Sequence, residues 1–204
     1  MAALAYMGAY TSIWVIVTSE GRASPFQQGE QKYEAFHFGR DAPMAQVTHQ
    51  TIAVEHVTIT SNRSFEVTRA ALERSVARLD DGILTLLRFG EAQRALEELE
   101  SGPDLVIFGF RDHGGLLQVQ GLNRKAIQYD IGNPLTASKM TRHQLSAGLY
   151  APVRVYLRED AEGGVAFEYD RPISTFGQFG DPAVDSVAKQ LDGLLEATLS
   201  AAAS

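Results

Sequence analysis

Two histidines, His113 and His143, are the side chains in this sequence whose chemistry best suits proton transfer. An imidazole gains and loses a proton near neutral pH, so two of them can act as general acid and general base when the fold brings them together. His113 follows a stretch of strand character, at a turn of the kind where sites are often built. A histidine is also commonly a structural hydrogen-bonding residue, so catalysis by His113 and His143 depends on the distance between them.

A polar segment, GNPLTASKMTRHQLSAGLYAP, occupies residues 132–152 between two predicted strands. Asn133 followed by Pro134 is typical of a helix start, and Gly148 is typical of a helix stop. The sequence therefore predicts a helix over residues 134–147. Its apolar residues lack sustained spacing, so we expect this helix to cover a sheet edge or a cleft.

The predicted helix places a thioether, an imidazole and a cation in one patch. Met140 and His143 are three residues apart, and Lys139 and His143 are four apart, so both pairs share one face of a helix. Met and His are axial ligands of haem iron, and His with carboxylates suits zinc or copper. Because no HExxH sequence occurs, a metal site would have to converge from distant segments, and the sequence does not identify a cofactor.

Anion binding is another use of the same segment. The first amides of the helix, behind Asn133, could hold a carboxylate or phosphate, with Ser138, Lys139 and Arg142 close by. Ordinary helix capping and solvated surface charge are the alternative explanation of the same four residues. Both interpretations therefore stay open.

Four aromatic residues complete the set of candidates. Tyr150 and Tyr169 lie in or beside predicted strands, where a phenol hydroxyl at a cleft is a possible hydrogen-bond partner, although packing also explains them. Phe176 and Phe179 flank Gly177 and Gln178 in a connecting segment. Paired exposed aromatics often find a partner surface, so these two are candidates for a lid or a dimer contact.

The elements that must position these side chains begin with a strand and two helices. Ser64 is a favoured helix cap and precedes apolar residues at helical spacing, which predicts a helix over residues 65–79. A second helix ends at Gly102. Residues 105–110 are nearly all apolar, which is typical of a central strand covered on both faces.

The second half of the sequence predicts strands followed by a last helix. Alternating apolar residues predict one hairpin over residues 117–131 and another over residues 153–169, with a glycine turn in each. Asp181 and Pro182 begin a long helix with a strong apolar period. Strands in the middle with helices at both ends indicate an α+β fold in layers, with a mixed, largely antiparallel sheet and helices packed on one face.

The amino-acid composition limits the classes of partner and cofactor that the protein can bind. The 204 residues carry a net charge of −7 with only 18 Lys and Arg, so the basic footprint of nucleic-acid binding is missing and anionic membranes are disfavoured. The lack of cysteine excludes disulfides, thiolate zinc sites and iron–sulfur clusters.

Residues 1–43 differ in composition from the rest. Their apolar run is too short for a spanning helix and lacks the basic region of a signal peptide, so we expect a peripheral extension or tail. Met44 is then a start site or domain boundary, and residues 44–204 form one cytoplasmic α/β domain.

Several short motifs occur together, in order, between residues 104 and 180. They are Phe108-Gly109, Asp112-His113-Gly114, Gly132-Asn133-Pro134, Met140-Thr141-Arg142-His143, Leu149-Tyr150-Ala151-Pro152 followed by Arg154, Tyr169-Asp170-Arg171-Pro172, and Phe176-Gly177-Gln178-Phe179. In this the chain resembles a bacterial family known as domain of unknown function, family 302, over roughly residues 54–199. The resemblance implies a two-layer α/β fold with a mixed sheet, and a homodimer. It implies no activity.

The sequence thus predicts a domain that binds a small, anionic or aromatic molecule. The expected cleft lies between the His113 turn, residues 133–143, Tyr150 and Tyr169. One alternative is an enzyme on the same cleft, with His113 and His143 as acid–base groups or as haem or metal ligands. The other is a structural or interaction module in which the histidines serve packing.

Overall fold

The computed structural model describes residues 45–204, so the predictions for residues 1–43 and for Met44 lie outside the described residues. Six strands are present in this part of the chain: β1 His56–Ser61, β2 Ala77–Arg78, β3 Val106–Asp112, β4 Ala126–Gly132, β5 Val153–Glu159 and β6 Val165–Asp170. Its α-helices are α1 Phe65–Ser75, α2 Asp81–Arg88, α3 Ala92–Ser101, α4 His113–Leu117, α5 Pro134–Thr141, α6 Pro172–Phe176 and α7 Pro182–Ala203. Short 3₁₀ segments cover Gln118–Gln120, Leu145–Tyr150 and Gly177–Phe179.

The strands form one mixed sheet in the order β1-β6-β5-β4-β3-β2. Every neighbouring pair is antiparallel except β2 and β3, which are parallel. The predicted α+β class and the largely antiparallel sheet are confirmed. Helices α1 and α7 cover one face of this sheet.

Strand alternation separates a packed face from an open face. In β5, Val155 and Leu157 are fully buried, whereas Arg154 and Tyr156 point to the other side. The long α7 lays apolar residues at helical spacing over the packed face, among them Val184, Ala188, Leu191, Leu195 and Leu199. The open face carries polar strand residues such as Arg154, Glu168 and Asp170.

The expectation that β3 is a central strand covered on both faces is wrong. The two-residue β2 pairs only with Val106 and Ile107, and a bulge follows between Ile107 and Gly109. Beyond this point β3 is the edge of the sheet. Phe108 and Phe110 are therefore each 39% exposed.

The predicted strand at residues 117–119 is also wrong. The Asp112 carboxylate accepts a hydrogen bond from the Gly115 amide at 2.8 Å and thereby caps α4, so the chain turns into helix there. Leu116 and Val119 are 65% and 81% exposed. The partner of β4 is β3 instead.

A buried carboxylate links α7 to α6. Asp192 is 8% exposed, and its Oδ1 accepts a hydrogen bond from the Ile173 amide at 3.0 Å. Burial raises the pKa of the Asp192 carboxyl above its ordinary value, against the opposing effects of that hydrogen bond and of Arg171. Because the folded-state pKa is raised, stability is lost as the pH rises from the unfolded-state pKa to the folded-state pKa, and the full cost of the buried carboxylate is present above the folded-state pKa.

We therefore expect Asp192→Asn to increase the free energy of unfolding at pH 7, because the amide keeps the acceptor and removes the buried charge. The gain should vanish as the pH falls to about 4, where the unfolded carboxyl also becomes protonated. Asp192→Ala, which deletes the acceptor, should lose about 1 kcal/mol. Urea unfolding at pH 7 and pH 4 measures the free energy of unfolding of the unsubstituted protein and of both variants. Equal free energies for the Asn and Ala variants would contradict this account.

Candidate functional site

The two histidines lie at opposite ends of the sheet. His113 follows β3 directly, and the last β3 residue, Asp112, pairs with Ile127 at the start of β4. The polar segment follows Gly132 at the other end of β4, about 17 Å of extended chain away. The segment also returns to this end, since Val153 pairs with a residue next to Gly132. The expectation that one cleft contains both histidines is wrong.

The surroundings of each histidine differ accordingly. The His113 ring meets Tyr156 edge-on, with centroids 5.6 Å apart, and its Nε2 is buried without a hydrogen-bond partner among the described residues. His143 is exposed in the turn after α5. An acid–base pair is not formed.

The predicted shared face of Met140 and His143 is not formed either. Helix α5 ends at Thr141, so His143 is no longer helical, while Met140 is only 1% exposed and packs in the core. Within residues 45–204, no group of three or more His, Asp or Glu side chains is arranged to hold a metal ion.

The start of α5 is closed by its own cap. Asn133 Oδ1 accepts hydrogen bonds from the amides of Leu135 and Thr136 at 2.8 and 3.1 Å. Its Nδ2 donates to the Pro103 carbonyl at 3.0 Å. The predicted cap is confirmed, and the Asn133 side chain is occupied by the fold.

The other polar candidates of the segment face solvent. The Ser138 hydroxyl donates to the Leu135 carbonyl of its own helix at 2.8 Å. Lys139 and Arg142 are exposed. This arrangement fits ordinary capping and solvated charge, the alternative to anion binding.

Three of the four aromatic candidates do come together. Tyr150 meets Phe176 and Phe179 edge-on, with ring centroids 6.1 and 6.2 Å away. Tyr169 lies elsewhere, on the packed face of β6, where it is 3% exposed. Burial raises the pKa of the Tyr169 phenol, with the nearby Glu196 carboxylate acting in the same direction. Tyr169 is a core residue.

An apolar slot opens beside the aromatic cluster. It has a volume of about 120 Å³ and an almost entirely apolar lining. The residues that define the slot include Phe108, Gly132, Ala137, Met140, Pro152 and Phe176. The bulge of β3 contributes Phe108 to this wall, so the edge of the sheet and α5 together form the slot.

A larger charged cleft adjoins the slot on the open face of the sheet. Its volume is about 400 Å³. The residues that define the charged cleft include Arg111, Asp130, Tyr150, Arg154, Asp170 and Thr175. Pro152 and Val153, at the start of β5, belong to the lining of both the slot and the charged cleft.

The two ion pairs of the charged cleft are unlike each other. Arg111 Nη1 donates to both oxygens of Asp130, at 2.9 and 3.1 Å, and to Gln128 Oε1 at 3.2 Å. The Nη2 of Arg154 lies 3.9 Å from Asp170 Oδ2, which is too far for a hydrogen bond. The first pair is hydrogen-bonded and the second is not.

The sequence interpretation missed the four charged residues of the cleft. Arg111, Asp130, Arg154 and Asp170 each come from a different strand, and alternation within each strand places all four on the face opposite the apolar residues. The alternation of apolar and polar residues could have indicated that these four side chains share a face. The order of the strands, which makes the four residues neighbours, is not readable from the sequence.

The structure is a two-layer α+β domain with a charged cleft on the open face of its sheet. A crystal structure of an uncharacterized conserved DUF302 protein from Bacillus stearothermophilus has this fold, with a TM-score of 0.54 and 17% sequence identity over 72% of this chain and 97% of that one. The family described as "Domain of unknown function DUF302" matches residues 84–202, and the chain belongs to that family. The comparison with curated proteins found no match.

No helix within residues 45–204 combines the length and the apolar character needed to cross a membrane.

Proposed function

We propose that this protein binds a small amphipathic molecule, with the apolar group in the slot and the polar group in the charged cleft. The position of the slot next to the charged cleft, with Pro152 and Val153 lining both, supports the proposal. Binding sites for small molecules combine apolar walls with a few convergent polar groups, and this pair of spaces has both. The site retains Tyr150 and Phe176 from the sequence prediction and replaces the two histidines with Arg154 and Asp170.

The homodimer and the cytoplasmic location stay proposals. The homodimer rests on the family resemblance, and the location on the composition of the sequence.

A direct test uses 3-methyl-1-butanol as an uncharged amphipathic probe. We expect saturable amide shifts in ¹⁵N-correlated NMR spectra at Gly132, Ala137 and Val153, with a dissociation constant of about 1 mM for a ligand of this size. Ala137→Leu places a larger side chain in the slot and should weaken binding about tenfold. The matched control is Ala70→Leu, on an exposed position of α1, which should leave binding unchanged.

Two outcomes would contradict the proposed function. One is the lack of saturable shifts around the slot in the full chain. The other is equal weakening by Ala137→Leu and Ala70→Leu, which would place the probe outside the slot. Either outcome favours the structural or interaction module.

A further inference from the structure

We infer that the preferred ligand is a zwitterion of the α-amino-acid type with an aliphatic side chain of about four carbons. This inference rests on the proposed function and names its ligand class. The ligand's carboxylate pairs with Arg154, its ammonium group pairs with Asp170, and its side chain enters the slot.

The side chains of Arg154 and Asp170 are not hydrogen-bonded to each other. Their closest atoms are 3.9 Å apart, and neither side chain makes a hydrogen bond to any described residue. His56 Nδ1 also stays 3.8 Å from Asp170 Oδ1. The Arg154 and Asp170 side chains are 67% and 45% exposed, so a full set of guanidinium donors and carboxylate acceptors faces the charged cleft.

The ion pair of Arg111 and Asp130 differs from that of Arg154 and Asp170. Arg111 and Asp130 are joined by two hydrogen bonds to one nitrogen, so their charges already satisfy each other. The charges left to recognise a ligand are therefore one cation and one anion, side by side. An α-amino acid carries its own anion and cation on a single carbon, at a similar spacing.

The net charge of the cleft also favours a ligand head group that carries both charges. Two arginines and two aspartates line the charged cleft, so its formal charge is zero although the whole chain carries −7. A purely anionic head group would pair with Arg154 but face Asp170, and a purely cationic one would face Arg154. A net-neutral head group with both charges avoids each repulsion.

The volume of the slot limits the size of the ligand's side chain. The slot measures about 120 Å³. A cavity of roughly 150 Å³ lined by apolar residues accommodates benzene, so the slot suits an aliphatic group of about four carbons. Its apolar lining would leave a polar side chain without hydrogen-bond partners, which disfavours polar amino acids.

Four probes separate the parts of this recognition. Leucine carries both charges and a four-carbon side chain. 4-Methylpentanoate lacks only the ammonium group, 3-methylbutylamine lacks only the carboxylate, and glycine keeps the charges without the side chain. We expect leucine to bind about tenfold more tightly than each of the other three in NMR titrations of the full chain, a difference of about 1.4 kcal/mol.

Variants assign the two charges. Arg154→Gln should lower the affinity for leucine to that for 3-methylbutylamine, and Asp170→Asn should lower it to that for 4-methylpentanoate. The control is Arg158→Gln on the same strand, whose guanidinium is held by Glu168 at 2.6 Å and lies outside the charged cleft. It should leave leucine binding unchanged.

The outcomes distinguish the two proposals. If 3-methyl-1-butanol binds at the slot and leucine binds no better than 4-methylpentanoate or 3-methylbutylamine, the zwitterion inference is overturned and the proposed function stands. If neither leucine nor the alcohol shifts the slot amides, both are overturned. Tighter leucine binding that Arg158→Gln reduces as much as Arg154→Gln would also overturn the assignment of the charges.

Discussion

Replacing Gly114 by alanine is expected to lower the free energy of unfolding by about 3 kcal/mol. A Cβ at this position would lie 2.8 Å from the Ala126 amide nitrogen and would also overlap the Arg124 carbonyl oxygen. Both neighbours are backbone atoms of the chain that enters β4, so no side chain can rotate away. Either α4 or the start of β4 has to move, and urea unfolding at neutral pH measures the cost.

Gly193→Ala is the matched control. Gly193 also lies in a helix, α7, but a Cβ there meets no atom within 4 Å and the residue is exposed. We expect this variant to gain about 0.5 to 1 kcal/mol, because alanine is the better helix former. Losses of similar size at Gly114 and Gly193 would show that the backbone contact is not the cause.

Replacing Phe176 by alanine is expected to cost about 3 to 5 kcal/mol, since a fully buried ring is deleted from the core. Phe179→Ala is the matched variant. Its ring meets Tyr150 at nearly the same centroid distance as Phe176 does, 6.2 against 6.1 Å, but it is only partly buried. A loss of about 1 to 2 kcal/mol is expected there.

The comparison of Phe176 and Phe179 isolates burial from the contact with Tyr150. Denaturant unfolding of the two variants, with the slope of the transition recorded, provides the measurement. Equal losses would show that the edge-on contact with Tyr150 dominates and that the core assignment of Phe176 is incorrect.

Local signals in the sequence predicted the elements with strong caps. Asn133 with Pro134 and Asp181 with Pro182 begin helices where expected, because capping depends on residues within one turn. The end of the first helix was predicted less well. It stops at Ser75, and two of the following residues join the sheet as β2.

The site depended on pairing, which local patterns do not encode. Apolar alternation identified β4, but nothing within a few residues of Ile127 indicated that its partner is β3 instead of residues 117–119. The antiparallel register of β3 and β4 then separates His113 from His143. The charged cleft was missed for the same reason, since Arg154 and Asp170 become neighbours only when β5 and β6 pair.

Because β2 is short, β3 has no partner strand from Phe108 to Asp112 on the side away from β4, and this edge could add a strand from another molecule. Two features of this stretch oppose such association. The bulge before Gly109 disrupts a regular ladder, and Arg111 and Asp112 place charged side chains along the edge. The same bulge that places Phe108 in the slot wall thus also makes this edge of the sheet a poorer template for a further strand.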